Sequence, residues 1–219
     1  TSQSTRAAVQ SCASISKNLI LYLDARDSRS YNNSATTWSN LSSCSGMDAT
    51  FQGLTGFKTP TKLNDNGGAL QFNQANQQWA QTASPGNLNS FTAEAYYKFD
   101  NFNSGDCTAV FTDSYDFGGS AIQFTIGSPG NESRLWGATL QSSSWQNIGF
   151  GSNIETSTYH VAVITYNGNS MNFYLDSASV GTSLNISNVA SNGTYLNIAK
   201  RWDNATNCSG SAKNYFSGR

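Results

Sequence analysis

Apolar and polar residues alternate with a period of two along much of the chain, a pattern typical of β-strands. The clearest example is the segment 159–176, in which two alternating stretches flank an Asn-Gly-Asn turn. In the second stretch Met171, Phe173 and Leu175 share one face, and polar residues occupy most of the other. A β-hairpin with one buried face is therefore predicted at this place.

Helical periodicity is nearly absent, and strand-like runs recur between clusters of Gly, Asn, Ser and Asp. In the run 91–99 the odd positions can face a core, which places Glu94 and Tyr96 on the opposite face. Strands with one polar face are typical of antiparallel sheets, so an all-β sandwich without internal repeats is expected. The predicted strands are Leu19–Ala25, Ala49–Gln52, Ala69–Asn73, Gln78–Ala83, Phe91–Phe99, Ala109–Thr112, Ala121–Gly127, Arg134–Leu140, Asn147–Phe150, Tyr159–Tyr166, Met171–Ser177 and Tyr195–Arg201.

The composition narrows the classes of partner. A chain of 219 residues fits one large all-β domain. Charged residues make up only 11%, with a formal net charge of -1. This gives no basic field for a phosphate backbone, so no nucleic acid partner is expected. No segment approaches the ~18 consecutive apolar residues of a membrane span.

The four cysteines are expected to form two disulfides that staple the loops. They show no Cys-x-x-Cys spacing, and His160 is the only histidine, which disfavours a zinc site. An even number of cysteines in polar loops suggests an oxidising compartment, although four free thiols are the alternative. Three pairings are open, with Cys107–Cys208 and Cys12–Cys44 preferred.

Asn-x-Ser/Thr sequons occur seven times. Chance alone gives about six in a chain this rich in Asn, Ser and Thr, so the sequons permit glycosylation without arguing for it. Asn207 shares its motif with a cysteine and is the poorer acceptor. The glycosylation candidates are Asn32, Asn40, Asn131, Asn185, Asn192 and Asn204.

A series of short motifs runs through the chain, at 19–25, 36–42, 68–72, 91–96, 159–176, 196–201 and 215–218. In this order they resemble the laminin-G-like domains of the concanavalin-A-like lectin/glucanase jelly rolls. The subgroup they resemble is common in phage and large-virus structural proteins and in secreted adhesins. The resemblance implies a two-sheet antiparallel jelly-roll sandwich over 19–219, after a polar N-terminal arm at 1–18.

The same resemblance implies a non-catalytic structural or adhesive module that is extracellular or on a virion surface. Its partner would be a glycan or a neighbouring protein subunit of an assembly. The subgroup continues after its Phe-x-Gly motif into a final strand, which is absent here after Arg219. Strand exchange at this C-terminal edge is one expectation, and simple truncation is the other.

Sugar binding needs an aromatic ring for the C–H face of a pyranose, together with amide or carboxylate groups for its hydroxyls. A Trp-Asp-Asn loop near the C-terminus has this composition. Two residues of the predicted strand 91–99 and one further Trp in a polar loop could belong to the same sugar-binding site. The candidate glycan-binding residues are Trp202, Asp203, Asn204, Glu94, Tyr96 and Trp145.

The alternative function is a polysaccharide-active enzyme of the same fold, either a glycoside hydrolase or a lyase. Laminarinase-like relatives carry three alternating acids on one strand, whereas here Glu94 is followed at that spacing by Tyr96 and Lys98. His160 is expected to have a structural role, so no catalytic residue is assigned. No cofactor is expected, except that the fold admits calcium on loop carboxylates, with Asp113 and Asp116 as candidates.

Overall fold

The structure is a computed structural model of the 219-residue chain. It describes residues 19–33, 35–43, 46–101, 108–114, 122–127, 134–141, 144–153, 155–156, 158–191, 193–201 and 215–219. The four cysteines and their predicted disulfides, Cys12, Cys44, Cys107 and Cys208, lie outside these residues, as does the predicted arm 1–18.

Short antiparallel strands account for nearly all the regular structure. The strands are β1 (Thr37–Trp38), β2 (Ala49–Gln52), β3 (Thr61–Leu63), β4 (Ala69–Gln71), β5 (Trp79–Ala83), β6 (Phe91–Tyr97), β7 (Ala109–Ser114), β8 (Ile122–Gly127), β9 (Arg134–Gln141), β10 (Ser144–Asn153), β11 (His160–Tyr166), β12 (Ser170–Leu175), β13 (Ala178–Ser179), β14 (Leu184–Asn185) and β15 (Tyr195–Ile198). In the described part of the chain the helical structure is a three-residue 3-10 turn, Asp65–Gly67. Within that part, no helix is long and apolar enough to cross a bilayer.

The strands form two main sheets. One has eight strands in the order β1-β2-β5-β15-β7-β8-β9-β10. The other has the order β13-β12-β11-β6, with β14 also pairing with β12, and β3 and β4 form a separate hairpin. Every recorded pairing is antiparallel, which confirms the all-β sandwich predicted from the alternation of residues.

The hairpin predicted around the Asn-Gly-Asn turn is present as β11 and β12. Tyr166 pairs with Met171 across the turn, and Gly168 has a φ of 96°, a left-handed conformation that suits glycine. Met171 and Phe173 are almost fully buried, as the period-two pattern predicts. The buried face of this hairpin therefore forms part of the core.

The core lies between the two sheets, and aromatic rings bridge it. The ring of Phe91 on β6 lies 5.0 Å from that of Phe124 on β8. Gly137 on β9 faces Phe173 on β12 so closely that a Cβ at Gly137 would lie 2.7 Å from the Phe173 ring. The glycine thus allows the sheets to approach each other around a large side chain.

The predicted strand Leu19–Ala25 is wrong, because this segment has no ladder of its own. Its backbone instead bonds to the loop after β1. The Tyr22 N–H donates to the Asn40 side-chain oxygen at 2.8 Å, and the Leu41 N–H donates to the Tyr22 carbonyl at 2.8 Å. Most other predicted strands are present with ends shifted by a few residues, and the alternation did not indicate the short strands β1, β3, β13 and β14.

The segment 215–219 lies between the residues that follow β4 and those that follow β6. Gly218 exchanges backbone hydrogen bonds with Phe72 on one side, at 2.8 and 3.2 Å. On the other side Arg219 exchanges backbone hydrogen bonds with Lys98, at 2.5 and 2.8 Å, directly after β6. The segment thereby connects β4 to the outer end of β6.

Candidate functional site

Two tyrosines form a stacked pair on the outer face of the five-stranded sheet. The rings of Tyr96 and Tyr159 lie 4.9 Å apart with an interplanar angle of 12°. Tyr96 is 51% exposed, which is unusual for so large an aromatic side chain. We call this pair the tyrosine platform.

The pairing of β6 with β11 brings the two rings together. Tyr96 lies opposite Val161 in this ladder, and Tyr159 precedes Val161 by two residues, so both tyrosines are on the same face. Diagonal neighbours in an antiparallel pair are about 7–8 Å apart at their Cα atoms, within reach of aromatic side chains. The inner face of β6 meanwhile carries Tyr97, which is 4% exposed.

The 3-10 turn Asp65–Gly67 holds the hydroxyl ends of both rings. The side-chain amide of Asn66 donates a hydrogen bond to the Tyr96 hydroxyl. The Tyr159 hydroxyl donates to an Asp65 carboxylate oxygen at 3.1 Å. Burial, with this bond to Asp65, raises the pKa of Tyr159 to about 12, so the phenol stays protonated and serves as a donor.

A glycine allows this turn to sit close to the neighbouring loop. Gly68 has a φ of 136°, and a Cβ there would lie 3.0 Å from the Arg26 Cα. Arg26 itself forms a bidentate pair with Asp24, at 3.0 and 3.1 Å. The turn beneath the platform is thus supported by a well-bonded loop.

Ion pairs surround the buried side of the platform. The Lys98 ammonium lies 5.5 Å from the centre of the Tyr159 ring and 4.0 Å from Asp65. Arg219 lies 3.4 Å from Asp65 and also pairs with Asp100. These groups are 63% or more buried at their side chains and should be less screened than surface pairs.

Glu94 shares the exposed face of β6 with Tyr96, two residues away. Alternate residues of a strand are about 7 Å apart, so the carboxylate lies beside the exposed ring. Among the described residues, no side chain or backbone group bonds this carboxylate. The sequence-based prediction that Glu94 and Tyr96 line one face of the sheet is confirmed.

The structure does not bring together the whole predicted glycan site. Trp202, Asp203 and Asn204 lie outside the described residues. For Trp145 only the backbone is described, and it belongs to β10, at the far edge of the eight-stranded sheet. Glu94 and Tyr96 are on the other sheet, so they form a separate surface from the strand of Trp145.

The calcium prediction is only partly within the described chain, because Asp116 lies outside it. Asp113 is fully buried on β7 and accepts a hydrogen bond from the Ser84 hydroxyl at 3.0 Å. Within the described ranges, no group of three or more potential metal ligands occurs. The prediction of calcium at Asp113 stays a prediction.

His160 was predicted to have a structural role, and its ring contacts a carboxylate at the end of the neighbouring strand. His160 Nδ1 lies 2.7 Å from an Asp176 carboxylate oxygen at the end of the β11–β12 hairpin. The other oxygen of Asp176 accepts the Val161 N–H at 2.9 Å. These contacts support a role for His160 in positioning the hairpin.

Three of the six candidate sequons fall on described residues. Asn32 and Asn185 are exposed. Asn40, in contrast, uses its side-chain amide to donate to the Ile20 carbonyl at 3.1 Å and to the Ser42 hydroxyl at 2.7 Å. Asn40 is therefore the least suited of these three to carry a glycan. Asn131, Asn192 and Asn204 lie outside the described residues.

Sequence reasoning missed several members of the site. In the sequence Tyr159 is only the first residue of a predicted strand. Asp65 and Asn66 lie in a polar stretch between predicted strands and were given no role. The signal that would identify Tyr159 is the register of β11 against β6, which the period-two pattern alone does not provide. Arg219 joins the site only through pairing of the segment 215–219.

The sequence itself matches a known family. Residues 73–215, more than half of the chain, match the family described as the concanavalin A-like lectin/glucanases superfamily. A search of curated proteins finds no match.

Several solved structures share the fold at low sequence identity. Domain 4 of AbnA, a GH43 extracellular arabinanase from Geobacillus stearothermophilus solved with arabinotriose, has a TM-score of 0.58 and 15% identity, covering 81% of each chain. Trypanosoma rangeli sialidase has a TM-score of 0.52 and 13% identity over 86% of this chain and 29% of its own. Tailspike protein 2 of an Escherichia coli O157:H7 bacteriophage has a TM-score of 0.51 and 12% identity, over 78% of this chain and 24% of its own. At these identities the likeness concerns the fold.

Proposed function

Because the chain belongs to the concanavalin A-like lectin/glucanase superfamily, we propose that it is a non-catalytic module that binds a glycan on the tyrosine platform. The observation that carries the proposal is the ring of Tyr96, which is 51% exposed and held in place by Tyr159 and Asn66. An immobilised, exposed aromatic ring can stack against the C–H face of a sugar with little loss of side-chain entropy.

Hydroxyl-binding groups accompany the ring, as recognition of a sugar requires. The Glu94 carboxylate can accept hydrogen bonds, and the Asn66 amide has a second N–H beside the Tyr96 hydroxyl. The fold of the arabinanase domain solved with arabinotriose supports a role with carbohydrates. A location outside the cell or on a virion surface is part of the same proposal, because the sequence resembles domains of secreted adhesins and virion proteins.

The arrangement of acids at the platform supports binding without hydrolysis. Glycoside hydrolysis generally uses two carboxyl groups about 5–9.5 Å apart, one on each side of the scissile bond. At the platform Asp65 accepts from Tyr159 and pairs with Lys98 and Arg219. Glu94 is thus left as the one unbonded carboxylate among the described residues of this surface.

The experiment is a glycan microarray of the purified protein, followed by titration calorimetry with the best oligosaccharide. We expect Tyr96→Ala to weaken binding by about tenfold or more, because stacking on the ring is lost. Tyr96→Phe should retain most of the affinity, since it keeps the ring and loses one hydrogen bond.

Phe57→Ala is the matched control, because Phe57 is a similarly exposed aromatic residue, at 56%, in the loop after β2, where its carbonyl accepts a hydrogen bond from Gln78. It should leave affinity unchanged. If Tyr96→Ala bound as tightly as the wild type while keeping its melting temperature, the platform would not be the site. Release of reducing ends from the bound glycan, lost in Glu94→Gln, would instead support the enzymatic alternative.

A neighbouring subunit is the second partner that we propose, and the edge of β6 favours it. Lys98 bonds Arg219 on the side of β6 that faces away from β11. Backbone groups of Thr92, Glu94 and Tyr96 point to that same side, because alternate residues of a strand share an edge. In the described residues no strand pairs with them there.

A further inference from the structure

The charges around the tyrosine platform bear on which sugars it can accept. Among the residues that the structure describes, three cationic side chains lie near it, and each is paired with an acid of this chain. Lys98 lies 4.0 Å from Asp65, and Arg219 pairs with Asp65 and Asp100. The Gln71 side-chain amide also donates to Asp100 at 2.7 Å, so both oxygens of that carboxylate have a partner.

The third cation is Arg26, in the loop behind the 3-10 turn. Its guanidinium donates two hydrogen bonds to Asp24, and its backbone N–H donates a third at 2.9 Å. In such a bidentate pair the guanidinium N–H groups that could bind a ligand carboxylate already donate to Asp24. Each of the three cations is thus already paired with an acid of this chain.

The free charge on this surface is negative. Glu94 is exposed and, among the described residues, unbonded, and it lies on the same strand face as Tyr96. An ionised carboxylate only accepts hydrogen bonds, so it suits the hydroxyls of a sugar. At a few ångströms it repels another carboxylate or a sulfate.

We propose that the tyrosine platform selects neutral glycans and rejects acidic ones, with Glu94 as the residue that determines this specificity. This inference rests on the proposed glycan-binding function. In the complex the C–H face of a neutral sugar lies on Tyr96, and its hydroxyls donate to Glu94. A uronic acid, sialic acid or sulfated sugar at this position meets the charge of Glu94, and every cation near the platform in the described part of the chain is already paired with an acid.

The test compares oligomers that share stereochemistry and differ in charge, namely oligogalactosides and the matching oligogalacturonides, as part of a wider panel of neutral and acidic pairs. Affinities are measured by calorimetry at low and at high salt. For the pair that binds, we expect the wild type to prefer the neutral member by about tenfold at low salt, and less at high salt.

Glu94→Gln should reduce this preference to near unity and weaken the neutral ligand by a few-fold at most, because glutamine keeps one of the two acceptor oxygens without the charge. Glu94→Lys should reverse it. Because residue 94 is exposed, both variants should keep the wild-type melting temperature.

The outcomes separate the two proposals. An acidic member that binds as tightly as its neutral partner, with Tyr96→Ala abolishing both, would overturn the charge selection and leave glycan binding at the platform intact. Binding unaffected by Tyr96→Ala, or no binding to any member of the panel, would overturn the platform itself.

Discussion

At the scale of single residues, side-chain volume decides how closely the two sheets pack. Gly137 has no side chain where the Phe173 ring lies, and a Cβ would come within 2.7 Å of that ring's Cγ atom. Phe173 is 1% exposed, so its ring has little room to move. Interiors packed at this density transmit the change of even one methyl group.

We expect Gly137→Ala to destabilise the fold by about 1–3 kcal/mol, because the added methyl overpacks the core. Urea unfolding gives the free energy directly. Phe173→Ala removes the Cγ and Cδ2 atoms that lie nearest the added methyl, so it should cost less stability in the Gly137→Ala background than in the wild type. Strictly additive effects of the two substitutions, within about 0.5 kcal/mol, would show that this contact is not the cause.

At the scale of elements, the hairpin of β11, β12 and β13 is held at its outer end by one carboxylate. Asp176 and Ser177 occupy the two-residue turn between β12 and β13 with φ values of 50° and 70°, which is the conformation of a type I′ turn. Burial opposes ionisation of Asp176, but hydrogen bonds from His160 and the Val161 N–H outweigh it and lower its pKa. The turn and the first residues of β11 are thereby joined.

Asp176→Asn tests this contact, because asparagine also tolerates the left-handed conformation. A carboxyl group whose pKa is lower in the folded state stabilises the fold above its unfolded pKa, near 3.9. That stabilisation is lost as the pH falls through the lower folded value. We expect the wild type to be more stable than the variant at pH 6, with the difference shrinking below the unfolded pKa and lost once the pH has fallen through the lower folded pKa.

Denaturant unfolding across this pH range provides the measurement. Glu155→Gln is a suitable control, since Glu155 is exposed and the substitution likewise replaces one carboxylate by an amide. A constant difference between the wild type and Asp176→Asn at all pH values would contradict the assignment, because the contribution of a carboxylate must titrate.

At the scale of the whole molecule, residues from distant parts of the chain meet beside the ends of β4 and β6. The segment 215–219 bonds Phe72 on one side and Lys98 on the other, and the Arg219 side chain reaches Asp65 and Asp100. The same segment pairs with only the end of β6. The edge of β6 beyond it carries the backbone groups proposed to contact a neighbouring subunit.

We expect Thr92→Pro to weaken assembly through this edge, because proline removes an N–H that points away from β11 and leaves the β6–β11 ladder intact. Light scattering over a concentration series, with a second copy of the chain as the partner, measures the effect. Tyr96→Ala should assemble normally, which separates this contact from glycan binding. A wild-type monomer at every concentration, with the β6 edge amides protected from hydrogen exchange, would contradict it.

Much of the strand content was predictable because alternation is a local property. The buried face of Met171 and Phe173 and the outward position of Glu94 and Tyr96 follow directly from a period of two. The segment Leu19–Ala25 was mispredicted for the same reason. A local pattern cannot indicate that the neighbouring backbone will bond to Asn40 and Leu41 instead of to another strand.

The amino-acid sequence by itself determined the class of fold, the family, the hairpin at the Asn-Gly-Asn turn and the scarcity of charge. Only the tertiary structure decided which strands are neighbours, and hence that Tyr159 stacks on Tyr96, that Asp65 and Asn66 hold their hydroxyls, and that Arg219 neutralises the acids beneath them. The reason is physical. Residues 65, 96, 159 and 219 are brought together by long-range pairing and register, whose free energy depends on the packing of whole sheets.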